Sequence, residues 1–387
     1  MPATSTAPGS AWSVLLAACS VAAGPEPKRD LLRSSLRQFN RWPELFALAD
    51  LHGVQPLLLH ALQTVAEGVP PEHLRLSKER CQINLHRALL LSLELIRIAQ
   101  HLSDVGIEVM PYKGLALAEF LYGDIALRQS GDIDLLIHAA DLPRIRGAVS
   151  EFGYTPHERF AVHEERAYLK SGYELSFDGP SGPNLLELQW GILPRFYAVD
   201  FDMPGVFARA VKIEVAGQSM KTPSPSDLLL ILSAHAAKHV YGRLIWLCDL
   251  ARLIGRQDLD WDWLQSQAEA LGLVRIVRVT LELANRLLQA PLPAEAEKSF
   301  PQNVASSTLA TQIQTQIGAT PFDVESLGYF KLMMSLRERR SDQARFLSRL
   351  LFTSGPSEWR AVALPAPLFP LYRAVRLGRL AARLARV

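Results

Sequence analysis

The chain has 387 residues and a net charge of +2, with 49% hydrophobic and 21% charged residues. This length can bury a substantial core and suits roughly two or three structural parts. The near-neutral charge gives no general argument for a nucleic-acid or membrane partner. Cys19, Cys81 and Cys248 are odd in number and far apart, which indicates a reducing compartment and neither a disulfide framework nor a zinc site.

The N-terminal part of the chain is predicted to be helical. Residues 1–10 are small and polar, and we expect them to be disordered. The apolar run from Trp12 to Ala23 has no Lys or Arg before it, which favours a buried helix over a leader segment. No run reaches the ~20 apolar residues of a membrane helix, so we expect a cytoplasmic protein. One predicted buried stripe consists of Leu89, Leu93, Ile96 and Leu102.

Signals for β-structure concentrate in the middle of the chain. The predicted strands are 107–112, 132–138, 172–178, 184–191 and 211–216. The turn residues at 178–183 predict a hairpin connection, and 141–153 reads as a helix. These patterns predict an α+β fold in which a small mixed β-sheet is flanked by helical regions. We expect an N-terminal helical region (1–103), a core (104–222) and a C-terminal helical region (223–387).

The clearest chemical signal is Asp132-Ile133-Asp134 at the start of a predicted strand. Residues i and i+2 of a strand point to the same face, so the two carboxylates should lie side by side. Like charges at that spacing raise each other's pKa unless a cation lies between them, and Mg²⁺ prefers such oxygen ligands. Glu187 on another predicted strand would complete a trio. An isolated pair of this kind is more often a solvated loop end, and the neighbouring elements favour the metal site.

Lys113-Gly114 follows the first predicted strand and precedes a helical run, Leu115 to Tyr122. Glycine at such a turn lets the backbone approach a ligand, and the start of a helix offers free N–H groups to an anion. Lys113 would add a point charge for phosphate. The simpler interpretation is a turn glycine beside a surface lysine.

The C-terminal region contains a cluster of basic residues at helical spacing. His235, Lys238 and His239 share one side of a predicted helix. The histidines could bind a metal, although without an added acid a structural role is favoured. Alternatively, Lys238 or a histidine faces the acids and contacts phosphates or an acceptor. Asp249 is expected to form an ion pair on its own helix; the candidate partners are Arg243 and Arg252.

The end of the chain is predicted to form a basic amphipathic helix. Its arginines are Arg373, Arg376, Arg379, Arg383 and Arg386, and its apolar stripe is Leu377, Leu380, Leu384 and Val387. Such a helix can bind an anionic membrane surface or RNA. Docking on the body of the protein, with solvated arginines, is the favoured interpretation.

Two of these elements together carry a family resemblance: Lys113-Gly114, and Arg128 followed by Gly131-Asp132-Ile133-Asp134. The chain resembles the polymerase-β-like nucleotidyltransferase superfamily, and it is similar in particular to a bacterial family of uncharacterised nucleotidyltransferases. The similarity extends over most of the chain. The other similar segments are His52–Leu58, His235–Leu250, Pro356–Trp359 and Leu371–Arg373.

The chain departs from the pattern of the superfamily at two positions. The superfamily usually opens its helix with Gly-Ser, whereas this chain has Gly114-Leu115. On the strand that contains Glu187, the resemblance implies a four-residue motif: Asp or Glu, then any residue, then His and Trp. This chain has Glu187-Leu188-Gln189-Trp190 there, with glutamine in place of histidine.

The resemblance implies Mg²⁺-dependent transfer of a nucleoside monophosphate from an NTP, such as ATP, to a hydroxyl of an acceptor. Two Mg²⁺ ions would be held by Asp132, Asp134 and Glu187. The implied nucleotide-binding residues are Lys113, Gly114, Arg128 and Lys238. The alternative is a catalytically degenerate transferase fold that binds a nucleotide or a partner without turnover. Binding of RNA through the basic tail is a weaker third hypothesis.

Overall fold

The computed structural model describes residues 9–23, 28–180, 182–317 and 326–384. It has a mixed α+β fold in which helices surround a small five-stranded sheet, as predicted. The segment expected to be disordered, residues 1–10, lies outside the described residues except for its last two positions. In the described part of the chain, no helix combines the length and apolar character that a membrane crossing requires.

The N-terminal region consists of helices. They are α1 (Ala11–Ala23), α2 (Arg29–Leu36), α3 (Trp42–Leu51), α4 (Gln55–Gln63) and the long α5 (Pro71–Asp104). The side chains of α1 are almost all buried against α3, α4 and the C-terminal helices, which confirms the prediction of a buried first helix.

The predicted stripe on α5 is partly wrong. Leu89 is 45% exposed and Leu93 is 65% exposed, whereas Leu102 is buried as expected. The buried face of α5 instead consists of Ala88, Leu91, Ser92, Leu95, Ile98 and Leu102. This helix carries apolar residues on more than one side, so their spacing alone did not identify the side that meets the sheet.

The central part of the chain builds the sheet. In chain order its elements are β1 (Val109–Pro111), α6 (Gly114–Leu117), β2 (Ile133–Ile137), α7 (Leu142–Ser150), β3 (Thr155–Pro156), α8 (Val162–Ser171), β4 (Glu174–Gly179), β5 (Gly182–Gln189), α9 (Met203–Ala208), β6 (Val211–Val215) and β7 (Gln218–Thr222). The strand order is β1-β2-β5-β4-β3, and only β2 and β5 are parallel. Strands β6 and β7 form a separate antiparallel pair.

The sheet prediction is largely confirmed. All five predicted strands are present; β1, β2 and β6 are shorter than predicted, and β4 and β5 are shifted by one or two residues. Strands β4 and β5 form the predicted hairpin, in which Gly179 pairs with Gly182. Strands β3 and β7 were not predicted. The first has only two residues, and the second, Gln-Ser-Met-Lys-Thr, has little apolar alternation to reveal it.

The register of the parallel pair determines which side chains share a face. Asp134 on β2 lies directly opposite Glu187 on β5. Their neighbours Ile133 and Leu135 point the other way, into an apolar cluster beneath the sheet. Because side chains alternate along a strand, Asp134 and Glu187 project together from the opposite face.

Helices complete the chain from Pro225 onward. They are α10 (Pro225–Lys238), α11 (Leu244–Ile254), α12 (Trp261–Leu271), α13 (Val274–Leu288), α14 (Ala294–Ser299), α15 (Val304–Gln316), α16 (Leu327–Ser335), α17 (Arg340–Phe352), α18 (Pro356–Ala361) and α19 (Tyr372–Leu384). The start of α10 is capped by Ser224, whose hydroxyl accepts a hydrogen bond from the Asp227 amide at 3.1 Å. Nearly every side chain of α10 is buried.

The basic helix α19 is docked on the body of the protein. Arg376 forms an ion pair of 3.2 Å with the buried carboxylate of Glu358 on α18, and Arg379 donates to the Ser357 carbonyl at 3.1 Å. The docked interpretation is therefore confirmed, but its expectation of solvated arginines is wrong for Arg376, whose side chain is 13% exposed. The predicted basic and apolar positions Arg386 and Val387 lie outside the described residues.

A buried ion pair joins the loop before β2 to helix α11. The Arg128 guanidinium donates to both carboxylate oxygens of Asp249, at 3.1 and 3.2 Å, and Tyr122 donates to the same carboxylate at 3.0 Å. The expected pairing of Asp249 with Arg243 or Arg252 is therefore wrong. Helix α11 turns Asp249 inward, towards a residue 121 positions earlier in the chain.

Removal of this carboxylate should destabilise the fold. We expect Asp249→Ala to lower the free energy of unfolding by about 3–5 kcal/mol, because it leaves the buried Arg128 charge uncompensated. The matched control is Asp258→Ala, which breaks a partly exposed pair with Arg256 and should cost about 0–1 kcal/mol. Urea denaturation measures both changes. An equally small loss for both variants would show that the buried pair is not a structural clamp.

Candidate functional site

A cavity of about 390 Å³ lies on the sheet face from which Asp134 and Glu187 project. Its walls come from β2, β4, β5, the turn before α6, the loop before β2, and helices α10 and α11. All seven residues proposed from the sequence line it: Lys113, Gly114, Arg128, Asp132, Asp134, Glu187 and Lys238. Segments that are separated by more than a hundred residues thus meet at one place.

Four carboxylates line this cavity. Asp134 and Glu187 are register partners, and Asp132 precedes Asp134 by two positions at the start of the strand. The fourth, Glu174, comes from β4 and was not predicted. It begins a strand antiparallel to β5, and only that pairing brings it to the cluster.

Lys113 is the ammonium group that balances this negative charge. Its Nζ lies 3.0 Å from Oδ1 of Asp134, and both side chains are nearly buried. Burial alone would lower the pKa of Lys113, but the negative charges of Asp134 and Glu187 and the neighbouring Tyr112 together outweigh that effect, so the pKa is raised. Lys113 therefore stays protonated at the centre of the site.

One lysine does not compensate all of the acids. Burial, followed by the charges of Asp134 and Glu174, raises the pKa of Glu187 from 4.5 to about 8. Burial and Asp134 raise the pKa of Asp132 to about 6, against the opposing effect of Lys113. The site therefore has a deficit of positive charge.

Gln189 connects the acids to one another. Its amide nitrogen lies 2.9 Å from Glu187, 3.3 Å from Asp134 and 3.3 Å from Glu174, while its carbonyl oxygen accepts a hydrogen bond from Tyr112. The side chain is buried at the end of β5. This glutamine, where the resemblance suggested histidine, is thus the hydrogen-bond donor shared by three carboxylates.

Gly114 occupies a conformation that favours glycine. Its φ is +52°, and a Cβ there would lie 3.4 Å from the Asp132 carbonyl oxygen and 3.5 Å from Oγ of Ser130. The Ser130 hydroxyl is buried and has no hydrogen-bond partner among the described residues. A serine hydroxyl therefore lies beside the turn glycine, although Leu115 follows that glycine in sequence. The helix after Gly114 continues as a π turn from Ala118.

Helix α10 contributes one wall of the cavity. Lys238 lines it and donates a hydrogen bond of 2.8 Å to the Tyr173 hydroxyl. Burial lowers the pKa of Lys238, and Glu174 opposes that effect. The predicted approach of this lysine to the acids is therefore present in the structure.

The histidines of α10 do not add positive charge. Burial and the nearby Lys238 lower the pKa of His239 to about 3, and burial and Lys113 lower that of His235 well below 6.5. Both rings pack against Trp246, with centroid-to-centroid distances of 5.3 Å for His235 and 5.2 Å for His239. At neutral pH they are uncharged rings that line the cavity, and Lys238 carries the positive charge of this cluster.

The arrangement of the acids bears on metal binding. Across the part of the chain that the structure describes, no three His, Cys, Asp or Glu side chains converge as a metal-binding group. Lys113 and Gln189 already hold oxygens of Asp134 and Glu187. The three proposed ligands therefore share one face of the sheet, but in this conformation their partners are protein groups.

The comparisons with known proteins bear on this site. The profile of a family described as uncharacterised nucleotidyltransferases matches residues 39–289, well over half of the chain. The chain belongs to that family. The match includes every residue that lines the cavity described above.

The chain is also similar to a solved structure, that of an antigenic nucleotidyltransferase-like protein from Paracoccidioides brasiliensis. The two are 20% identical with a TM-score of 0.33, and the similarity covers 55% of this chain and 97% of the other. So low a score supports no inference about fold or function. No curated protein matches the chain.

The raised pKa of Glu187 predicts a pH-dependent stability. In the unfolded chain the carboxyl group of Glu187 loses its proton above about pH 4.5, whereas in the folded chain it keeps this proton until about pH 8. The free energy of unfolding should therefore fall as the pH rises through this window. Between pH 6.5 and 8.5, above the raised pKa of Asp132, Glu187→Gln should remove most of that fall.

Urea denaturation in the presence of a chelator measures this effect. The control Glu269→Gln alters an exposed helical glutamate and should keep the pH dependence of the parent chain. If Glu187→Gln keeps it as well, the buried acid cluster is not the source.

Proposed function

We propose that the protein is a Mg²⁺-dependent nucleotidyltransferase that moves a nucleoside monophosphate from an NTP to a hydroxyl of an acceptor. Family membership supports nucleotidyl transfer in general. The observation that carries the finer proposal is the cavity in which Asp132, Asp134 and Glu187 lie on one sheet face beside Lys113.

The donor set of the cavity suits magnesium. Its carboxylates are hard oxygen ligands, and the raised pKa values of Glu187 and Asp132 indicate that more positive charge is needed than Lys113 provides. Asp132, Asp134 and Glu187 would hold the ions. When bound, Mg²⁺ would neutralise the triphosphate and lower the pKa of the attacking hydroxyl.

The residues of the chain itself would bind and orient the nucleotide. Lys113 and Lys238 carry the charges for phosphate oxygens, and the backbone at Gly114 allows close approach. The Ser130 hydroxyl, still without a partner among the described residues, would donate to a phosphate oxygen in place of the serine that usually follows the glycine. Arg128 is bound to Asp249, so its role would be to position this turn.

The reaction also requires a place for the proton of the acceptor. Glu187 lies at the end of the acid cluster next to Gln189. With Mg²⁺ bound, the added positive charge would lower the pKa of Glu187, and its carboxylate would then favour loss of that proton. The uncharged rings of His239 and Trp246 offer an apolar wall against which the base of the nucleotide would pack.

One observation favours the alternative of a binding protein without turnover. The ammonium of Lys113 already forms an ion pair with Asp134, the central acid of the trio. In a degenerate site this lysine would replace the metal permanently. In an active site it would move to the phosphates when Mg²⁺ and nucleotide enter together.

Binding of ATP and release of pyrophosphate distinguish these two functions. An active enzyme should bind ATP tightly only with Mg²⁺ and, with water in place of the acceptor, release pyrophosphate and AMP slowly. Asp132→Asn should lower that rate by at least about a hundredfold. Glu269→Gln serves as the control with unchanged rate. ATP binding that is independent of Mg²⁺, without pyrophosphate release, would instead establish the binding role.

The approach of the backbone at Gly114 can be tested against a matched glycine. Gly123 is also left-handed, with φ +68°, but a Cβ there would meet nothing within 4 Å. Alanine at either position should cost about 1–2 kcal/mol of stability, because both backbones are strained for an L-residue. Only Gly114→Ala should also weaken Mg²⁺–ATP binding, measured by calorimetry. Equal affinity for the two variants would remove Gly114 from the nucleotide site.

A further inference from the structure

A second cavity, of about 440 Å³, adjoins the proposed nucleotide site. Tyr173 and Glu174 line both cavities and form the wall between them. The amide nitrogen of Gln189 donates hydrogen bonds to both Glu174, at 3.3 Å, and Glu187, at 2.9 Å. A molecule bound in the second cavity would therefore contact Glu174, which the Gln189 amide connects to Glu187 of the nucleotide site.

Apart from the shared residues Tyr173 and Glu174, the two cavities have different linings. The nucleotide cavity lies wholly within the family match, which ends at residue 289. The second cavity has one wall from residues 157–196 and another from residues 353–376, beyond that match. The loop at Thr353–Gly355 and helix α18 form the latter wall.

The size and rings of the second cavity suit a small molecule. A volume of about 440 Å³ lies within the range of small-molecule sites. Phe160, Tyr168 and Phe196 line it, and the first two rings stack at 4.8 Å between centroids. Flat aromatic faces such as these pack against the rings or C–H faces of a ligand.

The charges of this cavity disfavour a polyanion. Its two arginines are engaged with glutamates: Arg360 pairs with Glu158, and Arg376 pairs with Glu358 at 3.2 Å. Glu174 accepts a hydrogen bond from Gln189, and the ammonium group that its charge stabilises, Lys238, lines the nucleotide cavity and not this one. A nucleic-acid acceptor needs cations for its phosphates, whereas this lining presents an excess carboxylate.

We infer that this second cavity binds the acceptor, and that the acceptor is a small ring-bearing hydroxyl compound, uncharged or positively charged, rather than the end of a nucleic acid. This inference rests on the proposed nucleotidyl transfer. The acceptor oxygen would bond to the α-phosphorus of the NTP as the bond from that phosphorus to the pyrophosphate oxygen breaks. The hydroxyl proton would pass to Glu187, and pyrophosphate would leave.

The experiment measures which acceptors receive label from α-phosphate-labelled ATP in the presence of Mg²⁺. The probes are an uncharged ring compound, methyl glucoside, a cationic one, tyramine, and a short single-stranded RNA with a free 3′-hydroxyl. Binding of the two ring compounds to the unmodified chain is measured in parallel by ligand-observed NMR. We expect binding and labelling of a ring compound and no labelling of the RNA.

Filling the cavity provides the matched test. Ser354→Phe places a ring at a half-buried loop position that lines the second cavity and not the first. Ser335→Phe adds the same side chain at an exposed position that lines neither. The first variant should raise the KM for the ring compound at least tenfold more than the KM for ATP. Ser335→Phe should leave the ratio of the KM for the ring compound to the KM for ATP unchanged.

The outcomes separate the inference from the proposed function. Labelling of RNA alone, equal effects of the two variants, or neither binding nor labelling of the ring compounds overturns the inference. In each of these cases, Mg²⁺-dependent ATP binding and pyrophosphate release would leave the proposed function intact. Loss of those two activities in the unmodified chain would instead overturn the proposed function, and the acceptor site with it.

Discussion

The excess of buried negative charge on one face of a small sheet is the constraint on which the site depends. Strand register brings Asp134 and Glu187 together, and Glu174 joins them from the next strand. Such a cluster is tolerated only with a cation and hydrogen-bond donors among its oxygens. Lys113 and Gln189 provide them, and helix α10 adds a further wall to the cavity. The high pKa of Glu187 shows that these partners do not compensate all of the negative charge.

What could be predicted from the sequence was local. The spacing of Asp132 and Asp134 and the glycine turn at Gly114 are properties of a few consecutive residues, and all of them line the cavity. Glu174 could not be recognised, because its position depends on the antiparallel pairing of β4 with β5. The partner of Asp249 was missed for the same reason. Sequence spacing points to arginines close to Asp249 along the chain, whereas its actual partner, Arg128, is remote in sequence.

Burial explains the other differences between prediction and structure. His235 and His239 look basic in sequence, yet desolvation and nearby lysines keep them neutral. Leu89 and Leu93 look like core residues, yet they lie on the exposed side of α5. Spacing identifies residues that share a face. It does not show which face meets the rest of the protein, and that depends on contacts distant in sequence.

The Arg128–Asp249 pair connects this charge balance to the fold. Arg128 holds helix α11 through Asp249 and approaches the Gly114 carbonyl oxygen at 3.5 Å, one residue from Lys113. Its guanidinium therefore supports the turn that carries Lys113, and in the proposed function the phosphates would contact other groups. Lys113 is such a group, because its ion pair with Asp134 lies at the wall of a cavity. A ligand that brings both a divalent cation and phosphates would supply each member of that pair with a new partner of opposite charge.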